Sequence, residues 1–149
     1  MARRVRASVT VPGRAEEAEA LWLDPSRWAS WIDGFGHVVA LDPAWPEPGA
    51  RLRWASVPRG RGLVEERVTG RRPAHSHAVA VEDERLAGTQ RVTFSPGEHE
   101  ARVTLELEYE LKARTAPLVD LLFVRRSLRD SLARTLTRFG HERRAELTG

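Results

Sequence analysis

Apolar and polar residues alternate from Arg3 to Val11. Val5, Ala7, Val9 and Val11 fall on one side and Arg4, Arg6, Ser8 and Thr10 on the other, the two-residue period of a half-buried strand. Pro12-Gly13 ends that run, and the period changes. Within Arg14–Trp22, Ala15, Ala18, Leu21 and Trp22 recur at helical spacing. Asp24-Pro25 then opens a second short helix, Ser26–Trp31, with Asp as N-cap, Pro in the first turn and Trp28 and Trp31 on one face. Alternation returns in His37–Leu41, Arg51–Val57, Leu63–Thr69, Ala74–Val81, Arg85–Phe94 and Glu98–Lys112, with Pro- and Gly-rich turns between them, including one from Gly70 to Pro73. From Thr115 to about Glu146 the helical period takes over: Leu118, Leu121, Leu122, Leu128, Leu132, Leu136 and Phe139 lie within an arc of about 120°. Thr115 suits its cap, Pro117 its first turn, and Asp120 the positive end of the helix dipole.

Strands joined by short turns pair antiparallel, and strict alternation leaves one wet face and one buried face. The pattern therefore predicts one α+β domain over residues 1–149. A curved seven-stranded antiparallel sheet wraps around a long C-terminal helix, and two short helices stand between strands 1 and 2. Arg125 and Arg129 interrupt the apolar arc of that helix, whereas Val119 and Phe123 lie on its opposite side and leave a homodimer or another partner open.

Composition narrows the picture. At 41% apolar residues and with five tryptophans the chain can bury a core. Without Cys it has no disulfide framework, thiol nucleophile or thiolate metal site. No apolar run reaches the roughly 18 residues of a membrane span. The basic start, MARRVRASVTV, lacks the apolar core of a secretory signal. A cytoplasmic location is expected. The isoelectric point near 10.4 suggests nucleic acid, but the net charge is only +3 and Lys112 is the single lysine. Arginine keeps its charge past pH ~12, so a small Arg excess drives the value upward. Arg alternates with Glu along most of the chain rather than clustering, so no nucleic-acid partner is expected.

Several stretches carry a family resemblance: Asp24-Pro25-Ser26-Arg27-Trp28 with Trp31, Pro48-Gly49-Ala50-Arg51-Leu52-Arg53-Trp54, Val64-Glu65-Glu66-Arg67-Val68 with Arg72-Pro73, Leu107-Glu108-Tyr109-Glu110-Leu111, and the Leu/Arg-rich closing helix. In this order they resemble the START-related superfamily, which includes polyketide cyclase/dehydrase proteins and birch-pollen-allergen-like proteins of the helix-grip fold. The resemblance covers nearly the whole chain. It implies a hydrophobic cavity between sheet and C-terminal helix. Members bind lipids, sterols, polyketides or hormones, and a minority catalyse cyclisation or dehydration.

The expected ligand is a small hydrophobic molecule, lipid-, aromatic- or polyketide-like. The expected site comprises Trp28, Trp31, Trp54, Glu66, His77, Gln90, Phe94, Leu107, Tyr109, Leu118, Leu122 and Arg125. A cyclase/dehydrase-type enzyme is the first alternative. Its candidate polar participants are Tyr109, His77, His75 and Glu66: an imidazole beside a carboxyl can exchange protons near neutrality, and a phenol can donate to an oxyanion. A protein–protein module is the second. Arg125 and Arg129 could receive a ligand carboxylate, pair with Glu66, or keep their heads at a rim. His75-x-His77 has no Cys or suitably spaced carboxylate, so no metal and no cofactor are expected. An empty apolar space of about 300 Å³ would cost roughly 7 kcal/mol, comparable with a whole domain's stability, so a large cavity must be filled or wet.

Overall fold

Each alternating run becomes a strand. In the computed structural model, which describes residues 2–113 and 117–149, the elements are β1 (Arg3–Pro12), α1 (Ala15–Trp22), a 3-10 helix (Pro25–Ser30), β2 (Phe35–Leu41), β3 (Arg51–Ser56), β4 (Leu63–Arg72), β5 (Ser76–Glu82), β6 (Leu86–Pro96), β7 (Glu100–Leu111) and α2 (Leu118–Thr148). The strands form one sheet in the order β1-β7-β6-β5-β4-β3-β2. Every neighbouring pair is antiparallel. β2 to β7 make a meander, and β1 closes onto β7. Alternation is cleanest in β7, where Ala101, Val103, Leu105, Leu107 and Tyr109 are buried while Arg102, Glu108 and Glu110 are exposed.

Three local expectations change. The turn expected from Gly70 to Pro73 begins later, because a bulge between Val68 and Gly70 lets β4 run on to Arg72. The second short helix is 3-10, tightened by the Trp31 N–H donating to the Trp28 carbonyl at 3.2 Å. Asp24 caps it as expected, accepting from the Ser26 N–H at 3.0 Å. Pro117 stands at the N-cap of α2 rather than in its first turn. Thr115, the expected cap, lies outside the described residues.

The larger correction concerns α2. Its apolar arc is buried only in the second half, where Leu132, Leu136 and Phe139 join the core. Leu118 and Leu122 are 67% and 56% exposed, as are Val119 and Phe123 on the other side at 75% and 72%. The reason is where the helix lies. It runs against β1, with Gly140 beside Val9 and the Arg143 Nε donating to the Pro12 carbonyl at 3.2 Å. Its first turns reach the core through Val124 and Leu128. A carboxylate fixes the second half: Asp33, in the turn after the 3-10 helix, accepts from Ser131 Oγ at 2.7 Å, from Arg134 Nε and Nη2 at 3.1 and 3.0 Å, and from Arg138 Nη1 at 3.2 Å. Burial raises the Asp33 pKa, but the Arg134 and Ser131 hydrogen bonds outweigh it and leave the carboxyl below its ordinary value. The short helices are thereby clamped over one end of the sheet.

Candidate functional site

All five tryptophans of the chain meet around one cavity of about 40 Å³. Trp22 comes from α1, Trp28 and Trp31 from the 3-10 helix and its end, Trp45 from the β2–β3 loop and Trp54 from β3. Leu52, Glu66, His77, Val79, Gln90 and Val92 form the sheet floor, and Ile32 joins them. The rings touch in series. Trp54 packs on Phe35 at 5.2 Å, Phe35 on Trp28 at 6.3 Å, Trp28 on Trp45 at 5.4 Å and Trp45 on His77 at 5.2 Å. Trp22, Trp31 and Phe139 make a second group at 4.5–5.2 Å. All of these pairs are tilted or edge-to-face, and the ring quadrupoles favour such arrangements over a face-to-face sandwich.

Hydrogen bonds fix the indoles. Trp28 Nε1 donates to the Trp22 carbonyl at 2.8 Å, Trp45 Nε1 to the Leu23 carbonyl at 3.0 Å and Trp54 Nε1 to Glu66 Oε2 at 2.9 Å. The Trp31 indole N–H is buried without a partner among the described residues. A buried donor left unpaired costs about 1–3 kcal/mol, so an acceptor brought in by a ligand would gain there.

Burial shifts two ionisable groups on the floor toward their neutral forms. Burial pushes the Glu66 carboxyl up, against the opposing pull of the Trp54 N–H and of Arg61. Arg61 itself lies over the Trp54 ring, 5.7 Å from its centroid, and its Nε donates to Asp83 at 2.8 Å. Burial pushes the His77 imidazole down; Arg71 adds to that, while the Pro46 carbonyl and the carboxylates of Glu19 and Glu47 oppose it. His77 Nε2 lies 3.0 Å from the Pro46 carbonyl oxygen. A carbonyl only accepts, so Nε2 carries the proton and the neutral ring keeps its lone pair on Nδ1. A carboxyl shifted toward its acid form and an imidazole shifted toward its base form on one floor are the halves of an acid–base pair.

The family model for polyketide cyclase / dehydrase and lipid transport proteins matches residues 2–142. The chain belongs to this polyketide cyclase/dehydrase family. The START-related, helix-grip resemblance is thus carried by sequence and fold together. Among solved structures, a protein of Thermus thermophilus is 21% identical, with a TM-score of 0.74 over 97% of this chain and 99% of that one. The di-domain ARO/CYC protein StfQ of the steffimycin biosynthetic pathway superposes with a TM-score of 0.80 at 12% identity; it covers all of this chain, which spans 53% of StfQ. Norcoclaurine synthase from Thalictrum flavum, solved with dopamine and hydroxybenzaldehyde, gives a TM-score of 0.63 at 14% identity over 89% of this chain and 84% of that one. These likenesses are of fold. No curated protein matches the chain in sequence.

Within this family member, the expected site residues divide. Trp28, Trp31, Trp54, Glu66, His77 and Gln90 share the cavity wall. Phe94, Leu107 and Tyr109 are buried on the same inner face but away from that wall. Leu118, Leu122 and Arg125 are exposed on α2, which among the described residues contributes nothing to the wall. The cavity therefore lies between the sheet and the short helices, not between the sheet and the long helix. His75 is corrected as well. It stands exposed in the turn before β5, its Nδ1 3.0 Å from the Pro73 carbonyl, so the two histidines do not converge. Glu66 hydrogen-bonds an indole rather than an arginine. Pattern reading missed Trp22 and Trp45 as wall residues. The available signal was Trp45 itself, a large apolar side chain set between Pro43 and Pro46 in a turn, where solvent exposure would waste it. A wider depression of about 690 Å³ runs over Arg51, Arg53, Glu65, Arg67 and Glu82; its exposed charges do not suit a hydrophobic ligand. Among the described residues no helix is long and apolar enough to cross a membrane.

Proposed function

We propose that the chain binds a flat hydrophobic molecule, aromatic or polyketide-like, against the tryptophan wall. The convergence of all five indoles on one cavity carries this reading. Rigid aromatic walls grip planar ligands over large areas with little loss of side-chain freedom, and the few polar groups set among them fix orientation. The test is titration with 2-naphthol, a neutral two-ring probe, followed by quenching of tryptophan emission and by calorimetry. Saturable binding is expected, and Trp54→Ala should weaken it about tenfold or more, equivalent to ~1.4 kcal/mol. Equal affinity in both proteins removes Trp54 from the site.

The second reading is a cyclase/dehydrase-type enzyme, favoured by one observation: Glu66 and His77 line the same cavity, and burial shifts each toward its neutral form. Glu66 would give a proton to a carbonyl or departing hydroxyl and His77 Nδ1 would take one from carbon. A bell-shaped pH–rate profile on a poly-β-ketone substrate, losing a limb in Glu66→Gln, tests it.

A further inference from the structure

The inner face of the sheet holds one more polar group that the tryptophan cavity does not use. Tyr109 is 1% exposed, and its hydroxyl has no hydrogen-bond partner among the described residues. Two arginines on separate elements lie close enough to act on it. Arg3 is its cross-strand partner on β1, and Arg125 comes from α2; both act on the phenol electrostatically, against the burial that raises its pKa. No ion pair or hydrogen bond holds either arginine among the described residues.

Register connects this group to the cavity. His77 opposes Val92 on β6, and Gln90 is two residues from Val92; Gln90 opposes Leu107 on β7, and Tyr109 is two residues from Leu107. His77, Gln90 and Tyr109 therefore step diagonally across the floor on successive strands, each pair about 7–8 Å apart as diagonal neighbours are. Directly opposite Tyr109 is Gly88. A Cβ there would collide with the Glu108 carbonyl oxygen, so no side chain can fill the floor at that point. The short helices wall the cavity on one side; Tyr109 lies on the same inner face two strands beyond His77, outside that wall.

We propose that Tyr109, Arg3 and Arg125 form an anion-recognising end of the ligand site, so that the ligand is a hydrophobic, ring-containing molecule whose far end carries a carboxylate. The proposal rests on the tryptophan-wall reading and names the class of ligand it takes. The phenol supplies a neutral donor whose hydrogen bond is otherwise unmade, and the arginines supply charge; hydrogen bonds to ionised acceptors are the strong ones.

Calorimetric titration with biphenyl-4-carboxylate and with biphenyl-4-carboxamide, which has the same shape without the charge, tests it. In the unmodified protein the carboxylate should bind about tenfold tighter than the amide. Tyr109→Phe and Arg125→Gln should each reduce that preference to about threefold or less, while amide affinity changes less than about twofold. Tyr109→Phe removes no hydrogen bond made among the described residues, so its melting temperature should match the parent and loss of fold does not imitate the result. Equal affinity for the two probes, or a preference that survives both substitutions, overturns the anion end and leaves the wall reading intact. Failure of both probes to bind overturns the two readings together.

Discussion

Glu66 is the residue whose surroundings do most to set the chemistry of the cavity. Because burial raises its folded-state pKa above the ordinary 4.5, the protonated form is the one the fold favours. The stabilisation is fully present below the unfolded-state pKa and is lost as pH rises through the folded one. Glu66→Gln imitates the protonated form and keeps an oxygen for the Trp54 N–H. The variant should match the parent in urea unfolding at about pH 4 and exceed it at about pH 8; an equal gap at both would show that the carboxyl is not held up by the fold. At this scale much was legible in the sequence. Glu66, His77 and Gln90 occupy apolar positions of alternating strands, and a polar residue on a buried face is a marked departure from pattern. His75 has the same parity as His77 but precedes the strand, and period alone does not say where pairing starts.

The two halves of α2 separate periodicity from burial. Leu136 and Leu122 occupy the same predicted arc, yet one is 1% exposed and the other 56%. Leu136→Ala should cost about 2–5 kcal/mol through lost packing and a residual cavity, whereas Leu122→Ala should stay within about 0.5 kcal/mol. Chemical denaturation of the two variants checks this, and comparable losses would place the first turns of α2 against the sheet. A helical stripe tells which side of a helix is apolar, not how far its partner surface extends. That limit explains why the strands and short helices follow the sequence pattern closely while the placement of the long helix does not. The same limit moved the cavity: the family resemblance implies a space between the sheet and the long helix, but Trp22, Trp28, Trp31 and Trp45 bring the wall from the short helices and the β2–β3 loop.

For the whole molecule the question is room. A cavity of about 40 Å³ is large enough for water, and emptying it costs about 1 kcal/mol. Sites for small molecules run to about 300–1,000 Å³, so a ligand must widen the space. The clamp of Asp33 on Ser131, Arg134 and Arg138 ties the short helices to the second half of α2. The first half carries few buried side chains, and segments of that kind open at least cost. Binding is therefore expected to extend the cavity along the floor toward Gly88 and Tyr109. The exposed Leu118, Val119, Leu122 and Phe123 offer a rival apolar surface on the outside of that helix. The measurement that separates the two is intermolecular nuclear Overhauser contact in the complex with biphenyl-4-carboxylate. Contacts from the probe's ring protons to the indoles of Trp28, Trp31 and Trp54 are expected; contacts confined to Leu118, Leu122 and Phe123, with the indoles silent, would contradict the tryptophan cavity as the binding site.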